Sequence, residues 1–318
     1  MVWRRTCDAT AFAVALGGLL AGTACTGVRS LPAAATVRDD TSLQAAVEEA
    51  RSHFLPAGRL DRLDVTVLLA APDGAWLRGS VGGQTPWYPA SCVKLGFAVA
   101  AVHWCESQVR GAECLDAHLA PMLRVSDNVA TGYVVDAITG APNGPLEGAD
   151  FDGWFRRRLY TERLLAAQGL LEGQRFINKT YPTNSGEEPA GLEALARERH
   201  GRNMMHADGG ANLMLAIVTE RFGRKSSEYL RPLLRRPQVS SHSFMGGGFP
   251  AGTRYESKVG DAYDTLAEIA YAEMPDGRRL IISAFSNGRD PDGPDAQDLT
   301  VLAGFARLLL ERVPTTDD

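Results

Sequence analysis

The stretch Tyr88-Pro-Ala-Ser91-Cys-Val-Lys94-Leu-Gly-Phe97 places a hydroxyl and an amine three residues apart at the predicted start of a helix. A proline suits a helix start, and the apolar residues 93–102 predict that the helix is buried. Side chains at positions i and i+3 share a helix face, so we expect Ser91 and Lys94 to meet. A buried lysine loses the solvation that favours its charged form, and a neutral amine can take a proton from serine. The stretch therefore predicts an activated serine nucleophile.

Two further motifs follow along the chain. They are Ser126-Asp127-Asn128 and Lys258-Val259-Gly260, which gives the order S-x-x-K, S-D-N, K-x-G. A lone S-x-x-K has a simpler interpretation, a serine that caps a helix followed by a surface lysine. The chain has only four lysines, however, and two of them fall in these motifs. The ordered set therefore favours a catalytic role for Ser91.

The composition limits the classes of protein to which the chain can belong. A length of 318 residues, 45% of them hydrophobic, fits one large or two closely joined globular units with a substantial core. The net charge of −5 gives no reason to expect a nucleic-acid partner. The six histidines are scattered and no Cys/His spacing indicates a metal site, so we expect neither a metal nor a cofactor.

Residues 1–35 are predicted to be a signal peptide. Arg4 and Arg5 precede an apolar stretch, 9–24, which is short for a membrane span and suited to a signal sequence. Two ends are open: a small-residue cleavage site at 33–35, or a bacterial lipoprotein signal in which Cys25 receives lipid. We expect export to the periplasm or cell envelope, with membrane contact only through the signal or a lipid anchor at Cys25.

The remaining cysteines separate into a pair and a single residue. Cys105 and Cys114 bracket a short polar loop, and an oxidising compartment would let them form a disulfide. Cys92, next to Ser91, is expected to be a small buried apolar side chain rather than a redox group.

Strand and helix patterns predict an α/β (α+β) fold for residues 36–318. An opening helix is predicted at 39–54, strands at 63–71, 75–81, 253–259, 262–271 and 279–286, helices at 93–102, 128–138, 151–169, 210–222 and 226–234, and a closing helix at 295–312. The segment 115–125 leads into Ser126. Strands at both ends imply one antiparallel sheet formed by the N- and C-terminal segments and flanked by helices. An all-helical subdomain, about 104–235, would be inserted and would hold Ser126.

Three local expectations accompany this fold. Residues 174–191 are predicted to be a long loop, because Asn, Thr, Pro and Gly are frequent there. Asp208 is predicted to cap the helix 210–222, which makes a triad with His206 improbable. The arginine clusters 156–158 and 197–202 are predicted to be solvated helix faces.

The three motifs together resemble those of the serine β-lactamase and penicillin-binding protein superfamily, most of all the class A β-lactamases. The resemblance covers most of residues 36–318 and implies a β-lactamase/transpeptidase-like fold. It implies that Ser91 is the acylated nucleophile and that Lys94 is its base. It implies further that Ser126 relays a proton to the leaving nitrogen, Asn128 holds Lys94 and the substrate amide, and Lys258 supplies positive charge.

The same resemblance assigns substrate binding to Val259, Gly260 and Asp261, with the N–H groups of Ser91 and Asp261 as oxyanion donors. Here the sequence departs from the family. Val259 and Asp261 replace small or hydroxyl residues that bind a substrate carboxylate, and an acidic side chain repels such a group. Arg254 is a candidate counter-charge if its side chain points inward.

A second departure concerns hydrolysis of the acyl-enzyme. Class A enzymes carry an E-x-x-x-N motif whose glutamate activates water, and none occurs between residues 174 and 206. Glu187 and Glu188 are the candidate deacylation bases, although glutamates in a polar loop are commonly just solvated. Without such a base the acyl-enzyme would persist.

The sequence thus predicts an exported serine hydrolase that acts on a β-lactam or a related amide. Two alternatives stay open: a cell-wall D-Ala peptidase like the penicillin-binding proteins, or a binding or sensor module without turnover. The expected partner is a small-molecule or peptidoglycan-derived substrate, and the chain is expected to be a monomer.

Overall fold

The structure is a computed structural model that describes residues 34–55, 60–179, 189–288 and 300–313. Residues 1–33, with most of the predicted signal peptide and Cys25, lie outside this part, as do Glu187 and Glu188. Within the described residues, no helix combines the length and the apolar character needed to cross a membrane.

The described residues form one six-stranded sheet and a set of helices. The strands are β1 Val37–Asp39, β2 Leu60–Ala70, β3 Trp76–Val81, β4 Arg254–Ala262, β5 Thr265–Glu273 and β6 Arg279–Gly288. The helices are α1 Thr41–Phe54, α2 Lys94–Ser107, α3 Asp116–Arg124, α4 Asn128–Thr139, α5 Phe151–Arg158, α6 Tyr160–Ala167, α7 Gly191–His200, α8 Ala207–Val218, α9 Arg224–Leu234 and α10 Val301–Leu310.

The sheet joins the two ends of the described chain, as the sequence predicts. Its strand order is β1-β3-β2-β6-β5-β4, and β2 pairs antiparallel with β6, with Val65 opposite Ala284. The short β1 runs parallel to β3. The α+β architecture expected from the sequence is confirmed, with β4 as an edge strand next to the turn that contains Ser91.

Both faces of the sheet are covered by helices. Val67 packs in a hydrophobic cluster with residues of α1 and α10, whereas Leu68 packs in a second cluster with residues of α2 and α8. Successive side chains of a strand point to opposite faces, so the continuous apolar run of β2 follows from burial on both sides. Helix α2, which follows Ser91, is consequently buried almost throughout.

The predicted helix 151–169 is in fact two helices. Helix α5 ends at Arg158 and α6 begins at Tyr160, with Leu159 between them. Helix α7 follows the predicted loop 174–191, and among the sequence predictions only the arginine cluster 197–202 indicates a helix there. Both differences concern short helices, whose existence depends on tertiary packing more than on the residues' own preferences.

The cap of α8 also differs from its prediction. His206, not Asp208, is the N-cap residue, and its Nδ1 accepts a hydrogen bond from the N–H of Gly209. The Asp208 carboxylate is buried and accepts hydrogen bonds from Thr66 Oγ1 and Ser80 Oγ of the sheet. Asp208 therefore ties α8 to β2 and β3.

Candidate active site

Ser91 lies in a tight turn rather than in the α-helix itself. Residues Ala90–Val93 form a 3-10 turn, here called the nucleophile turn, and α2 begins at Lys94. A 3-10 turn has three residues per turn, so side chains at i and i+3 lie above one another. Accordingly, Ser91 Oγ lies 3.0 Å from Lys94 Nζ. Ala90 adopts φ +44°, an unfavourable backbone conformation for a residue with a Cβ, directly before the nucleophile.

Lys94 is fully buried and surrounded by oxygen atoms. Its Nζ lies 2.5 Å from the Ser126 carbonyl oxygen, 2.6 Å from Asn128 Oδ1 and 3.2 Å from Ser126 Oγ. Burial, followed by the nearby charge of Lys258, holds the pKa of Lys94 well below its ordinary value. A neutral amine has two N–H donors and a lone pair, and serine hydroxyls are the neighbours able to donate to that lone pair. Lys94 therefore lies where a base for Ser91 would be, and its lowered pKa favours the neutral form that a base requires.

The loop between α3 and α4 presents Ser126 in a strained conformation. Ser126 has φ +61°, and Asp127 behind it caps α4 by accepting a hydrogen bond of 2.7 Å from the N–H of Ala130. This conformation turns the Ser126 carbonyl oxygen toward Lys94, while its hydroxyl accepts a hydrogen bond of 2.9 Å from Lys258 Nζ. The three sequence motifs thus converge on one group of side chains.

Lys258 is the second buried amine of the site. Its side chain is 0% exposed, and its Nζ also donates to the Val259 carbonyl oxygen at 2.7 Å. Burial lowers the pKa of Lys258 to about 8, to which the charge of Arg236 contributes. The guanidinium of Arg236 donates to the Leu123 carbonyl oxygen, and its backbone N–H donates to the Tyr255 carbonyl oxygen at 2.9 Å. Arg236 therefore links β4 to the segment before Ser126.

Gly260 allows β4 to approach the nucleophile turn. A Cβ atom at this position would lie 2.5 Å from the Pro89 carbonyl oxygen and 3.1 Å from the backbone nitrogen of Cys92. Any side chain would therefore force the strand and the turn apart. The glycine of the K-x-G motif has a steric role here, and it keeps the strand within reach of a group bound to Ser91.

The direction of the β4 backbone supports the expected oxyanion donors. The Val259 carbonyl accepts from Lys258 Nζ, which also donates to Ser126, so this carbonyl faces the site. Backbone groups alternate along an antiparallel strand, so the N–H and C=O of Asp261 face the same way. With the N–H of Ser91, the N–H of Asp261 can hold a developing oxyanion.

The side chains of Val259 and Arg254 do not take part in the way the sequence suggests. The Val259 side chain is buried in the cluster beneath the sheet, so it offers no surface to a substrate. Arg254 forms ion pairs with Glu256 at 3.0 Å and Glu273 at 3.3 Å, away from the nucleophile. Asp261 is exposed as a whole residue. Its carboxyl is nevertheless partly desolvated, which raises the pKa of this group. The expected counter-charge for Asp261 is therefore not supplied by Arg254.

The cysteines have structural roles. Cys92 is buried, its Sγ donates to the Lys258 carbonyl oxygen at 3.4 Å, and burial raises the pKa of its thiol to about 12. It therefore packs the turn against β4 as an unreactive thiol. Cys105 and Cys114 form a disulfide between the last turn of α2 and the segment before α3.

In the described residues, His, Cys, Asp and Glu side chains form no group of three or more that could hold a metal.

A buried ion-pair network lies in the helical part and was not predicted. The sequence assigns Arg158 to a solvated face, yet it is 1% exposed and pairs with the fully buried Glu193 of α7. Its guanidinium also lies 3.4 Å from Asp136 of α4, which pairs with Lys179. Burial raises the pKa of Glu193 despite the adjacent arginine. The network, here called the loop anchor, fixes the residues on both sides of the segment 180–188.

Comparisons with known proteins concern the family and the fold of the chain. A model of the beta-lactamase enzyme family matches residues 115–313, more than half of the chain. The chain is also 31% identical over 279 residues to Golvesin from Dictyostelium discoideum. That match covers 86% of this chain and 48% of Golvesin, so the chain spans about half the length of this curated relative.

Solved structures share the fold at low sequence identity. A beta-lactamase from Sphaerobacter thermophilus DSM 20745 superposes with a TM-score of 0.58 at 17% identity, covering 84% of this chain and 96% of that one. A mutant of PBP-A, in an acyl-enzyme complex with penicillin G, gives 0.60 at 17% identity, with 87% and 98% covered. An ancestral class A beta-lactamase gives 0.59 at 18% identity, with 84% and 100% covered. These likenesses establish the fold of the chain.

Proposed function

The chain belongs to the beta-lactamase enzyme family, and on this premise we propose that it is a serine hydrolase that forms an acyl-enzyme through Ser91. The proposed substrate is a β-lactam or a related amide. The observation that carries the proposal is the buried Lys94, whose Nζ lies 3.0 Å from Ser91 Oγ and 3.2 Å from Ser126 Oγ. An uncharged amine between two hydroxyls is suited to moving protons, because it accepts from one and donates toward the other.

The acylation step follows from these positions. Ser91 Oγ forms a bond to the carbonyl carbon while its proton passes to Lys94 Nζ, and the carbonyl electrons move onto the oxygen. The N–H groups of Ser91 and Asp261 stabilise this oxyanion, and one such donor contributes about 2.7–4 kcal/mol in acyl-transfer sites. The C–N bond then breaks, and the leaving nitrogen receives a proton from Ser126 Oγ. Lys94 returns a proton to Ser126, so its amine ends the step neutral.

A second candidate is a peptidase that acts on D-Ala peptides of the cell wall. The observation that favours it is a departure from the class A pattern that concerns hydrolysis of the acyl-enzyme. The absence of an E-x-x-x-N motif between residues 174 and 206 agrees with a long-lived acyl-enzyme. A sensor module that is acylated once would share these features.

One experiment separates these functions. The protein and its Ser91→Ala variant are incubated with a chromogenic cephalosporin and, separately, with a fluorescent penicillin. Turnover that is lost in Ser91→Ala supports a β-lactam hydrolase, and a stable adduct at Ser91 without turnover supports the peptidase or sensor. An absence of both reactions, or equal reaction in Ser91→Ala, contradicts the proposed β-lactam chemistry.

Export is also a proposal. It is supported by the apolar stretch behind Arg4 and Arg5, and by the Cys105–Cys114 disulfide, because disulfides persist mainly in oxidising compartments. Fractionation of a bacterial host that expresses the whole chain tests it. Membrane association that is lost in Cys25→Ser supports the lipid anchor, whereas recovery in the cytoplasm with residues 1–35 intact contradicts export.

A further inference from the structure

Glu268 of β5 is a fully buried acidic residue next to the position of Lys258 in the sheet. It lies opposite Val259 in the antiparallel pair of β4 and β5, and Lys258 is the adjacent residue of β4. Opposite residues of a strand pair share a face, and Val259 packs in the cluster with residues of α1 and α10. Glu268 therefore faces that side of the sheet, whereas Lys258 faces Ser126 on the other side.

The Glu268 carboxylate is held by the segment that precedes β4. Its Oε2 accepts hydrogen bonds from the N–H groups of Phe244 at 2.8 Å and Met245 at 2.6 Å. The hydroxyl groups of Tyr255 and Ser257 lie near the carboxylate, although within the described residues neither forms a hydrogen bond of ordinary geometry. Burial raises the pKa of Glu268, and the neighbouring donors oppose that shift. Two backbone N–H donors on one oxygen favour the anion.

This carboxylate acts on two cations, Lys258 and Arg236. Burial lowers the pKa of each, and the negative charge of Glu268 opposes the shift in both. The two cations also act on each other, since the charge of Arg236 lowers the pKa of Lys258 further. Glu268 therefore offsets both the burial of Lys258 and its repulsion by Arg236.

The other titratable groups around Lys258 supply no negative charge at neutral pH. Cys92 of the nucleophile turn would do so as a thiolate, but burial raises the pKa of its thiol to about 12. The thiol is thus neutral where Lys258 titrates. Lys94 of α2 and His242, in the segment between α9 and β4, are bases, and the charge of Lys258 lowers the pKa of each in addition to their burial.

Two other carboxylates of this region are engaged elsewhere. Glu256, two residues before Lys258 on β4, is fully buried and pairs with Arg231 at 2.8 Å and Arg254 at 3.0 Å. Asp127 caps α4, and its charge acts on Lys94. Among the residues that the structure describes, Glu268 is therefore the carboxylate whose charge acts on Lys258.

Resting on the proposed acyl-enzyme function, we propose that Glu268 is a positioning residue of the active site, which keeps Lys258 charged beside Ser126 from the opposite face of the sheet. Glu268 acts on the reaction only through Lys258. The charge matters because a cation next to a hydroxyl stabilises it while it gives up a proton, and Ser126 passes its proton to the leaving nitrogen in the proposed acylation step.

This role predicts a change in the pH dependence of the site. Lys258 is charged below its pKa of about 8 and neutral above it. Without the Glu268 charge the protonated form of Lys258 is less stable, so its pKa decreases and the amine becomes neutral at a lower pH. A charge on a neighbouring strand shifts the pKa of a buried group by about 0.5–1 pH unit.

The test measures the pKa of Lys258 by carbon NMR of the full chain with lysine labelled at Cε. The chain has only four lysines, and loss of one signal in Lys258→Arg identifies the resonance. The native chain is compared with Glu268→Gln, which keeps the size of the side chain and an oxygen for the two N–H donors. Glu273→Gln is the matched control, because Glu273 is an acidic residue of the same strand that contacts Arg254 and Tyr271 instead.

We expect Glu268→Gln to lower the pKa of Lys258 by about 0.5–1 pH unit and Glu273→Gln to leave it unchanged. The rate of Ser91 acylation by a fluorescent penicillin, measured between pH 6 and pH 10, should fall at a correspondingly lower pH in Glu268→Gln. Glu268→Asp, which keeps the charge, should retain the native pH dependence. An unchanged pKa of Lys258 in Glu268→Gln, an equal decrease in Glu273→Gln, or a decrease that leaves the acylation profile unmoved overturns the inference.

The native chain provides a second test, which does not depend on the folding of a variant. The carboxyl carbon of Glu268, labelled and observed by NMR, reports whether the group is charged. The inference requires a carboxylate between pH 7 and pH 9, where Lys258 titrates. A protonated Glu268 in this range overturns it.

The titration of Lys258 needs no substrate, so the two proposals can fail separately. A decrease in the pKa of Lys258 in Glu268→Gln, together with no acylation of the native chain by any acyl donor tested, overturns the hydrolase function and leaves the effect of Glu268 on Lys258 standing. Acylation of Ser91 with an unchanged pKa of Lys258 in Glu268→Gln overturns the role of Glu268 alone.

Discussion

At the scale of single residues, Lys258 sets an upper pH limit for the site. A lysine is charged below its pKa and neutral above it, and burial lowers the pKa of Lys258 to about 8. The positive charge next to Ser126 is therefore present at pH 7 and lost as the pH rises through about 8. We predict that the rate of Ser91 acylation by a fluorescent penicillin falls over that range. Acylation rates measured at a series of pH values between 6 and 10 record this fall.

Lys258→Arg is the matched variant for this prediction. Arginine keeps its charge throughout the range, because its pKa lies above about 12. The fall in rate near pH 8 should therefore disappear in Lys258→Arg, provided that its melting temperature shows a folded protein. If the acylation rate of Lys258→Arg falls near pH 8 as it does in the native chain, a group other than Lys258 causes the fall.

Gly260 offers a steric test at the same scale. Gly260→Ala places a Cβ atom 2.5 Å from the Pro89 carbonyl oxygen, so the nucleophile turn and β4 must separate. A displacement of about 1 Å in a catalytic site costs about 100-fold in rate, and we predict a loss of that size in Ser91 acylation. Gly132→Ala in α4 is the control, since its nearest contact would be an ordinary 3.5 Å. Equal acylation rates in Gly260→Ala and Gly132→Ala would contradict the steric role of Gly260.

The meeting of Ser91 and Lys94 could be predicted from their spacing, because any helical turn brings i and i+3 together. The positive φ angles of Ala90 and Ser126 could not. Such a conformation is unfavourable for residues with a side chain, and it persists only because the surrounding packing imposes it. The orientation of Val259 likewise depends on which face of β4 is buried, which the K-x-G motif does not specify.

At the scale of elements, the loop anchor joins α4, α5 and α7. Glu193→Gln removes one charge of a fully buried pair and leaves Arg158 with the more distant Asp136. Breaking a buried pair costs about 3–5 kcal/mol, so we predict a decrease of that size in the free energy of unfolding. Urea denaturation measures it, with Glu198→Gln as the control, because Glu198 is exposed on the same helix. Equal stability of the two variants would contradict a structural role for the pair.

The loop anchor also explains why this part of the chain was harder to predict. Arg156, Arg157 and Arg158 form one run of identical charges, and nothing local distinguishes the buried arginine from its neighbours. Arg158 is buried because Glu193, 35 residues later, comes to meet it. The division of the predicted helix at Leu159 also depends on tertiary packing, because α6 packs against α2.

At the scale of the whole molecule, the sheet was predictable because its strands have clear apolar patterns and turn residues between them. β1 was not predicted, since three residues carry too little pattern. The site depends on this architecture: Ser126 and Lys258 are 132 residues apart and meet only when β4 lies against the helical part. The motifs indicate which residues meet, and the fold determines how deeply they are buried and thus how they are charged.

The fold lowers the pKa of Lys94 next to Ser91, and we infer that the amine held there activates the serine. The most direct measurement is the rate at which a fluorophosphonate labels Ser91 at pH 7 in the native chain and in Lys94→Met, both verified as folded by their melting curves. A general base contributes about 100- to 10,000-fold, so we predict that labelling slows by at least the lower figure in Lys94→Met. Labelling of a folded Lys94→Met at the native rate would contradict the claim.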